Sequence, residues 1–120
     1  MTSQSDNAVP GLDRAVLEKL VSGDPTRFQK ALMLFISSME ELMQQFDDAS
    51  TREDIAELIE LGQRARSTAL NIGAVTFALH CEQLELAVHQ ADAARALAIA
   101  DALQSEFNAI CEAIHQRLDF

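Results

Sequence analysis

The side chains best suited to chemistry gather in one run, Gly62-Gln63-Arg64-Ala65-Arg66-Ser67-Thr68-Ala69-Leu70-Asn71-Ile72-Gly73-Ala74. Arg64 and Arg66 are basic in a chain whose net charge is −10, and a guanidinium such as that of Arg66 can hold an anion through its forked N–H donors. Gln63 offers hydrogen bonds and nothing more. Its amide nitrogen lone pair is delocalised into the carbonyl, as in the peptide unit, so it is no nucleophile. Neutral imidazole has the free lone pair that glutamine lacks, but His80, His89 and His115 all stand outside the run. His80 flanks an apolar helical stripe beside Phe77 and Leu84, which reads as a half-buried ring with one nitrogen satisfied. His89 sits near a helix end, where an imidazolium suits the dipole, and His115 lies at the edge of the last stripe. The three are too scattered for metal-ligand spacing, and no cysteine pair supplies it, so no metal or other cofactor is expected.

The run resembles the active-site helix of histidine-containing phosphotransfer (HPt) domains, whose pattern reads roughly A-H-x-L-K-G-S-x-x-N-[IL]-G-A. The small residue before the site, the basic residue three after it and the closing Asn71-Ile72-Gly73-Ala74 all fit. The phosphoryl-accepting histidine does not, because Gln63 takes its place. Ala65 stands where the family usually has Leu, Arg66 where it has Lys, and Ser67 where it has Gly. Two further matches, Gly23-Asp24-Pro25 and Cys81-Glu82-Gln83-Leu84-Glu85, extend the resemblance over about Leu12 to Leu118. It implies a helical module of a two-component phosphorelay that has kept its scaffold and lost its nucleophile.

The elements that position this run are helices. Four Gly and two Pro in 120 residues leave few turn formers, and Trp and Tyr are absent, a mix that favours helix over sheet. Residues 1–11 read as a flexible lead and residues 12–120 as one domain. A short leading helix is expected from Asp13 to Val21, with Asp13 as N-cap and a Leu12–Leu17 staple. Asp24 and Pro25 announce the next helix, running to about Asp48, with the stripe Phe28, Ala31, Leu32, Phe35, Met39, Leu42 and Phe46. Ser50 and Glu53 read as a capping box for the following helix, which turns Ile55, Leu58, Ile59, Gly62, Ala65 and Ala69 inward and stops before Gly73. Ala74, Phe77, Cys81, Leu84 and Val88 line the next. After a turn near Gln90–Ala91, Asp92 caps the last helix, whose stripe is Ala96, Ala100, Leu103, Phe107, Ile110, Ile114 and Leu118. Short connections make neighbours antiparallel. The expected fold is therefore all-α: an up-down four-helix bundle with a short extra N-terminal helix, the architecture the resemblance also implies.

The acidic balance argues against nucleic acid and anionic membrane as partners. The longest apolar run, Ala31 to Ile36, is far short of a membrane span, and the polar start carries no secretory signal. A cytoplasmic protein is the expectation, with Cys81 and Cys111 reduced. An antiparallel hairpin would leave the two thiols roughly 15 Å apart at about 1.5 Å rise per residue, too far for a disulfide.

With the expected core stripe at zero, Gln63 falls at about 100° and Ser67 at about 140° on the helical wheel. Ala56, Ile59, Gln63, Ser67 and Leu70 then form a small-to-apolar strip along one edge of the core face. In HPt domains this strip is where a receiver docks around the histidine. The resemblance thus implies a partner-binding surface of Ala56, Ile59, Gln63, Arg64, Arg66, Ser67 and Leu70, with a response-regulator receiver domain or histidine kinase as partner. Two structural readings stand beside it: Ile59 and Leu70 extending the core, and Arg64 and Arg66 pairing with Glu60 and nearby carboxylates. The functional alternatives are a bundle serving a different protein partner and an active phosphotransfer protein using another residue.

Overall fold

Asp24 opens the first long helix by accepting a hydrogen bond from the Thr26 N–H (2.9 Å), with Pro25 in the first turn, where no N–H is needed. The computed structural model describes residues 24–118 and, ahead of them, Leu12, Asp13, Ala15, Val16 and Lys19. Its long helices are α1 (Pro25–Thr51), α2 (Ile55–Asn71), α3 (Val75–His89) and α4 (Ala93–Leu118), with no strand among the described residues. Each packs on the next, and α4 returns to α1, closing an all-α bundle about 47 Å long and 23 Å across.

The stripes read from the sequence form the core. Phe28, Leu32, Phe35, Met39, Leu42 and Phe46 of α1 meet Leu58 and Ala65 of α2, Phe77, Cys81 and Leu84 of α3, and Leu103, Phe107 and Ile114 of α4. Phe35 and Phe107 make an edge-to-face pair, ring centroids 6.1 Å apart, across the α1–α4 seam. Leu61, Ile36, Met43, Ala49, Ala78 and Ala87 join this core from beyond the expected stripes. Ala31, Ile55, Ile59 and Val88 are only partly buried. The side chain of Leu118 lies outside the described residues.

One expected feature is corrected. Ser50 and Glu53 do not cap α2, because α1 continues through Ser50 to Thr51 and thereby buries Ala49. The cap is Asp54, which accepts from the Glu57 N–H at 3.1 Å. All three inter-helix turns close in the same way. At the end of α1, Glu53 takes a left-handed φ of 54°, its N–H donates to Ser50 O, and Asp54 N–H donates to Ala49 O. Gly73 (φ 81°) and Ala91 (φ 57°) repeat this after α2 and α3, with Ala74 N–H donating to Ala69 O and Asp92 N–H to Ala87 O. These are Schellman closures, and Asp54 and Asp92 each end one helix while capping the next. Arg52 ties the first turn together, its guanidinium donating to Asp48 (3.0 Å) and Asp54 (3.1 Å), which raises its pKa.

The leading residues dock on the second of these turns. Asp13 N–H donates to Gly73 O at 2.7 Å, the Asp13 carboxylate accepts from Ala15 N–H at 2.9 Å, and Leu12 packs on the core. Ala15, Val16 and Lys19 are helical, in keeping with the expected leading helix and its Asp13 cap. Leu17 of the expected staple, the rest of that helix and the 1–11 lead lie outside the described residues.

These turns make a stability prediction of opposite sign at two positions. A Cβ at Gly73 would sit 2.9 Å from Asp13 O in a left-handed backbone, so Gly73→Ala should cost about 1–3 kcal/mol in urea unfolding followed by circular dichroism. Ala91→Gly relieves the same strain where no glycine now stands, and should add up to about 1 kcal/mol.

Candidate functional site: the outer face of α2

Small residues let α2 sink into the bundle. Gly62, Ala65 and Ala69 are buried, and a Cβ on Gly62 would lie 3.1 Å from Leu84 Cδ2 and 4.0 Å from Cys81 O. The opposite face of α2 is thereby left to solvent. Ala56, Gln63, Arg64 and Ser67 are exposed, Leu70 is 49% exposed, and Ile59 and Arg66 are intermediate. The expected strip exists, but not at the edge of the core face. Leu61 is buried while Ile55 and Ile59 are only partly so, which swings the centre of the buried face. Gln63 then lies roughly 145° from that centre at about 100° per residue, almost opposite the core. Leu70, half exposed, is not an extension of the core.

The two arginines of the run have different surroundings. Arg66 leans toward α3, its Nη1 3.8 Å from Glu82 Oε2 and its Nε 3.7 Å from Glu85 Oε2. Its partners are therefore on the neighbouring helix and do not include Glu60. Glu85 Oε2 is buried and accepts no hydrogen bond, so the Arg66 charge is its main compensation. Arg64 projects from the other flank of α2, where Thr68 Oγ1 donates to its backbone oxygen at 3.0 Å. On that flank a shallow groove between α1 and α2 is lined by Leu34, Phe35, Ser38, Thr68 and Asn71. Sequence reading missed Leu34, Thr68 and Asn71 as part of this surface. The available signal was an apolar Leu34 off the core stripe of α1, and it is 63% exposed.

The histidines stand apart from this face. His80 Nδ1 is 2.6 Å from Glu106 Oε1, tying α3 to α4 on the side away from α2, with the ring half-buried as expected. His89 and His115 are exposed. Among the described residues, no three His, Cys, Asp or Glu side chains are placed to hold a metal ion.

Cys81 and Cys111 are both free. Burial first, then the carboxylates of Glu106 and Glu85, push the Cys81 thiol up to about 12, while burial and Glu40 raise that of Cys111. Neither is a poised nucleophile.

The bundle shares its fold with a solved histidine-containing phosphotransfer protein. It is similar to the crystal structure of histidine-containing phosphotransfer protein B from Pseudomonas aeruginosa PAO1, with a TM-score of 0.81 and 24% sequence identity over 94% of this chain and 99% of that one. No protein-family model and no curated protein matches the sequence. None of the helices among the described residues is long and apolar enough to cross a membrane.

The buried thiol makes a testable claim with a definite sign. Because folding raises the Cys81 pKa, its contribution to stability is intact below about pH 9 and is lost as the pH rises toward about 12. Cys81→Ala should flatten the fall in melting temperature across that window. In the native protein a thiol reagent should modify Cys111 first and Cys81 only on unfolding; equal rates would show that Cys81 is not shielded.

Proposed function

We propose that this chain is a phosphotransfer-type module that docks on a receiver domain, or on a histidine kinase, of a two-component relay without itself carrying phosphate. The observation that carries this reading is Gln63, which is exposed on the outer face of α2 in a bundle of the phosphotransfer fold. The site is presented as a nucleophile would be, by a side chain that cannot be one. Around it lie Ala56, Ser67, Ile59 and Leu70, small or apolar, with Arg64 exposed at the flank. Such a face lets another surface approach closely, and Arg64 suits the acidic pocket of a receiver. The module would regulate the relay by occupancy, in the cytoplasm where such relays run. Arg66 has little charge to spare for a bound anion, because Glu82 and Glu85 already compete for it.

Incubated with a phosphorylated receiver or an autophosphorylating kinase, the protein should gain no label; phosphate mapped to any of its residues would remove the proposal. Gln63→His alone should restore weak transfer at most, since Ala65, Arg66 and Ser67 also differ from the family pattern. Full transfer from that single change would show those neighbours to be neutral.

Docking has its own test. Leu70→Glu puts an unpaired charge into an apolar contact and should weaken receiver binding by about 1–3 kcal/mol, and Ser67→Trp should block close approach. Both positions are exposed, so circular dichroism should show an unchanged fold. A screen of the organism's receivers that finds no binder would instead favour a bundle serving a different partner.

A further inference from the structure

Two cations stand close to Gln63 on α2, and carboxylates already offset both. Arg66 follows three residues later, with about 5–6 Å between the Cβ atoms on one helix face. Its guanidinium leans to α3, however, 3.7 Å from Glu85 and 3.8 Å from Glu82. Glu85 Oε2 is buried and accepts no hydrogen bond, and the Glu85 side chain is only 16% exposed. Swinging Arg66 out to an anion over Gln63 would therefore strand a buried carboxylate, a costlier loss than an exposed contact returns. Arg64 lies about 100° round the helix from Gln63, on the flank toward α1. Glu60, exposed one turn before Arg64, has the spacing at which a carboxylate offsets a guanidinium. Around position 63 three carboxylates thus stand against two guanidiniums. The surface there is anionic.

We infer that Glu85 and Glu82 make this face selective for the unphosphorylated form of the receiver it docks on, so that phosphorylation of the receiver releases it. This rests on the proposed docking and adds the state of the partner. Selectivity between two forms of one partner depends only on what differs between them. Here a single carboxylate charge becomes a phosphoryl group of about −2, presented where an accepting imidazole would stand, opposite position 63. Carboxylates that the receiver carries in both forms cancel from the comparison. The potential at position 63 decides the sign, and with Arg66 held by Glu85 that potential opposes the added charge. Gln63 itself brings only a neutral amide donor, which offsets little of it. One further charge against one net charge, a helical turn away at a surface dielectric, weakens binding by about two- to fivefold. Glu85 is the positioning residue in this scheme, because it acts through Arg66.

Two probes of the full chain test the inference. Inorganic phosphate, titrated to tens of millimolar while the Arg66 Nε–H resonance is followed, should leave the parent unmoved. The variant carrying Glu82→Gln and Glu85→Gln should show a saturable shift, because its guanidinium is free to hold an anion. A parent that binds phosphate through Arg66, or a folded double variant that does not, overturns the inference. The second probe is a receiver domain that docks, titrated by calorimetry in its unmodified form and as its beryllofluoride adduct, and it needs no variant to decide. The parent should prefer the unmodified form by about two- to fivefold near 0.1 M salt and lose that preference near 1 M, where the screening length falls to about 3 Å. Equal binding of the two forms, or tighter binding of the adduct, overturns the inference and leaves docking intact. Receivers that bind in neither form remove the docking reading and this inference together.

Discussion

The close approach of α2 to α3 is the constraint on which the rest of the molecule depends. It is set by what α2 lacks. Gly62, Ala65 and Ala69 present almost no side chain to the interior, so Leu84 and the Cys81 backbone can lie against the helix itself. Long side chains on α1 and α4 fill the centre, while α2 supplies depth. Had Gly62 carried a side chain, Leu84 would have to move, and with it the α3 face that holds Cys81 and Phe77. The same approach brings Arg66 within reach of Glu82 and Glu85. It also leaves the whole opposite side of α2 bare, which makes that side a surface on which a partner can rest.

The architecture was legible because amphipathic stripes are strong signals. Phe28 to Phe46 on α1 and Ala96 to Ile114 on α4 read as helix at a glance, and apart from the half-buried Ala31 both stripes are buried as read. Capping aspartates at 24 and 92 were legible for the same reason, since a carboxylate before an apolar-periodic run has a defined job. The first turn was not. Ser50 and Glu53 match a capping box in spacing, yet Glu53 sits in a left-handed conformation that any reader would reserve for glycine. A Schellman closure without glycine leaves no mark in the sequence, because its bonds are between backbone groups. Ala91 is silent in the same way.

The candidate strip was misjudged in orientation. The run around Gln63 stood out by residue type alone. Its angle did not, because a wheel can be centred only on the residues assumed to be buried. Counting Ile55 and Ile59 as core and omitting Leu61 rotated the estimate toward the flank. Arg66 shows a second limit. Its carboxylate partners are sixteen and nineteen residues away on α3, and a pairing of that kind depends on how two helices face each other, which no local spacing encodes.

Chemistry at position 63 and stability of the bundle are separable for a simple geometric reason. Gln63 is exposed, lies outside the buried cluster and caps none of the described helices, so its replacement disturbs no core packing. The reverse does not hold. A group at position 63 is displayed to solvent because Gly62 and Ala65 beside it are buried and hold α2 in place. The site needs the scaffold, whereas the scaffold does not need the site. That asymmetry is what allows a bundle of this fold to change the group at position 63 without changing its packing. It also locates where departures do matter. Ala65 is wholly buried and Arg66 is drawn into the α2–α3 seam, so these two positions are tied to packing and to interhelix charge, while Gln63 and Ser67 are free to suit whatever the surface meets.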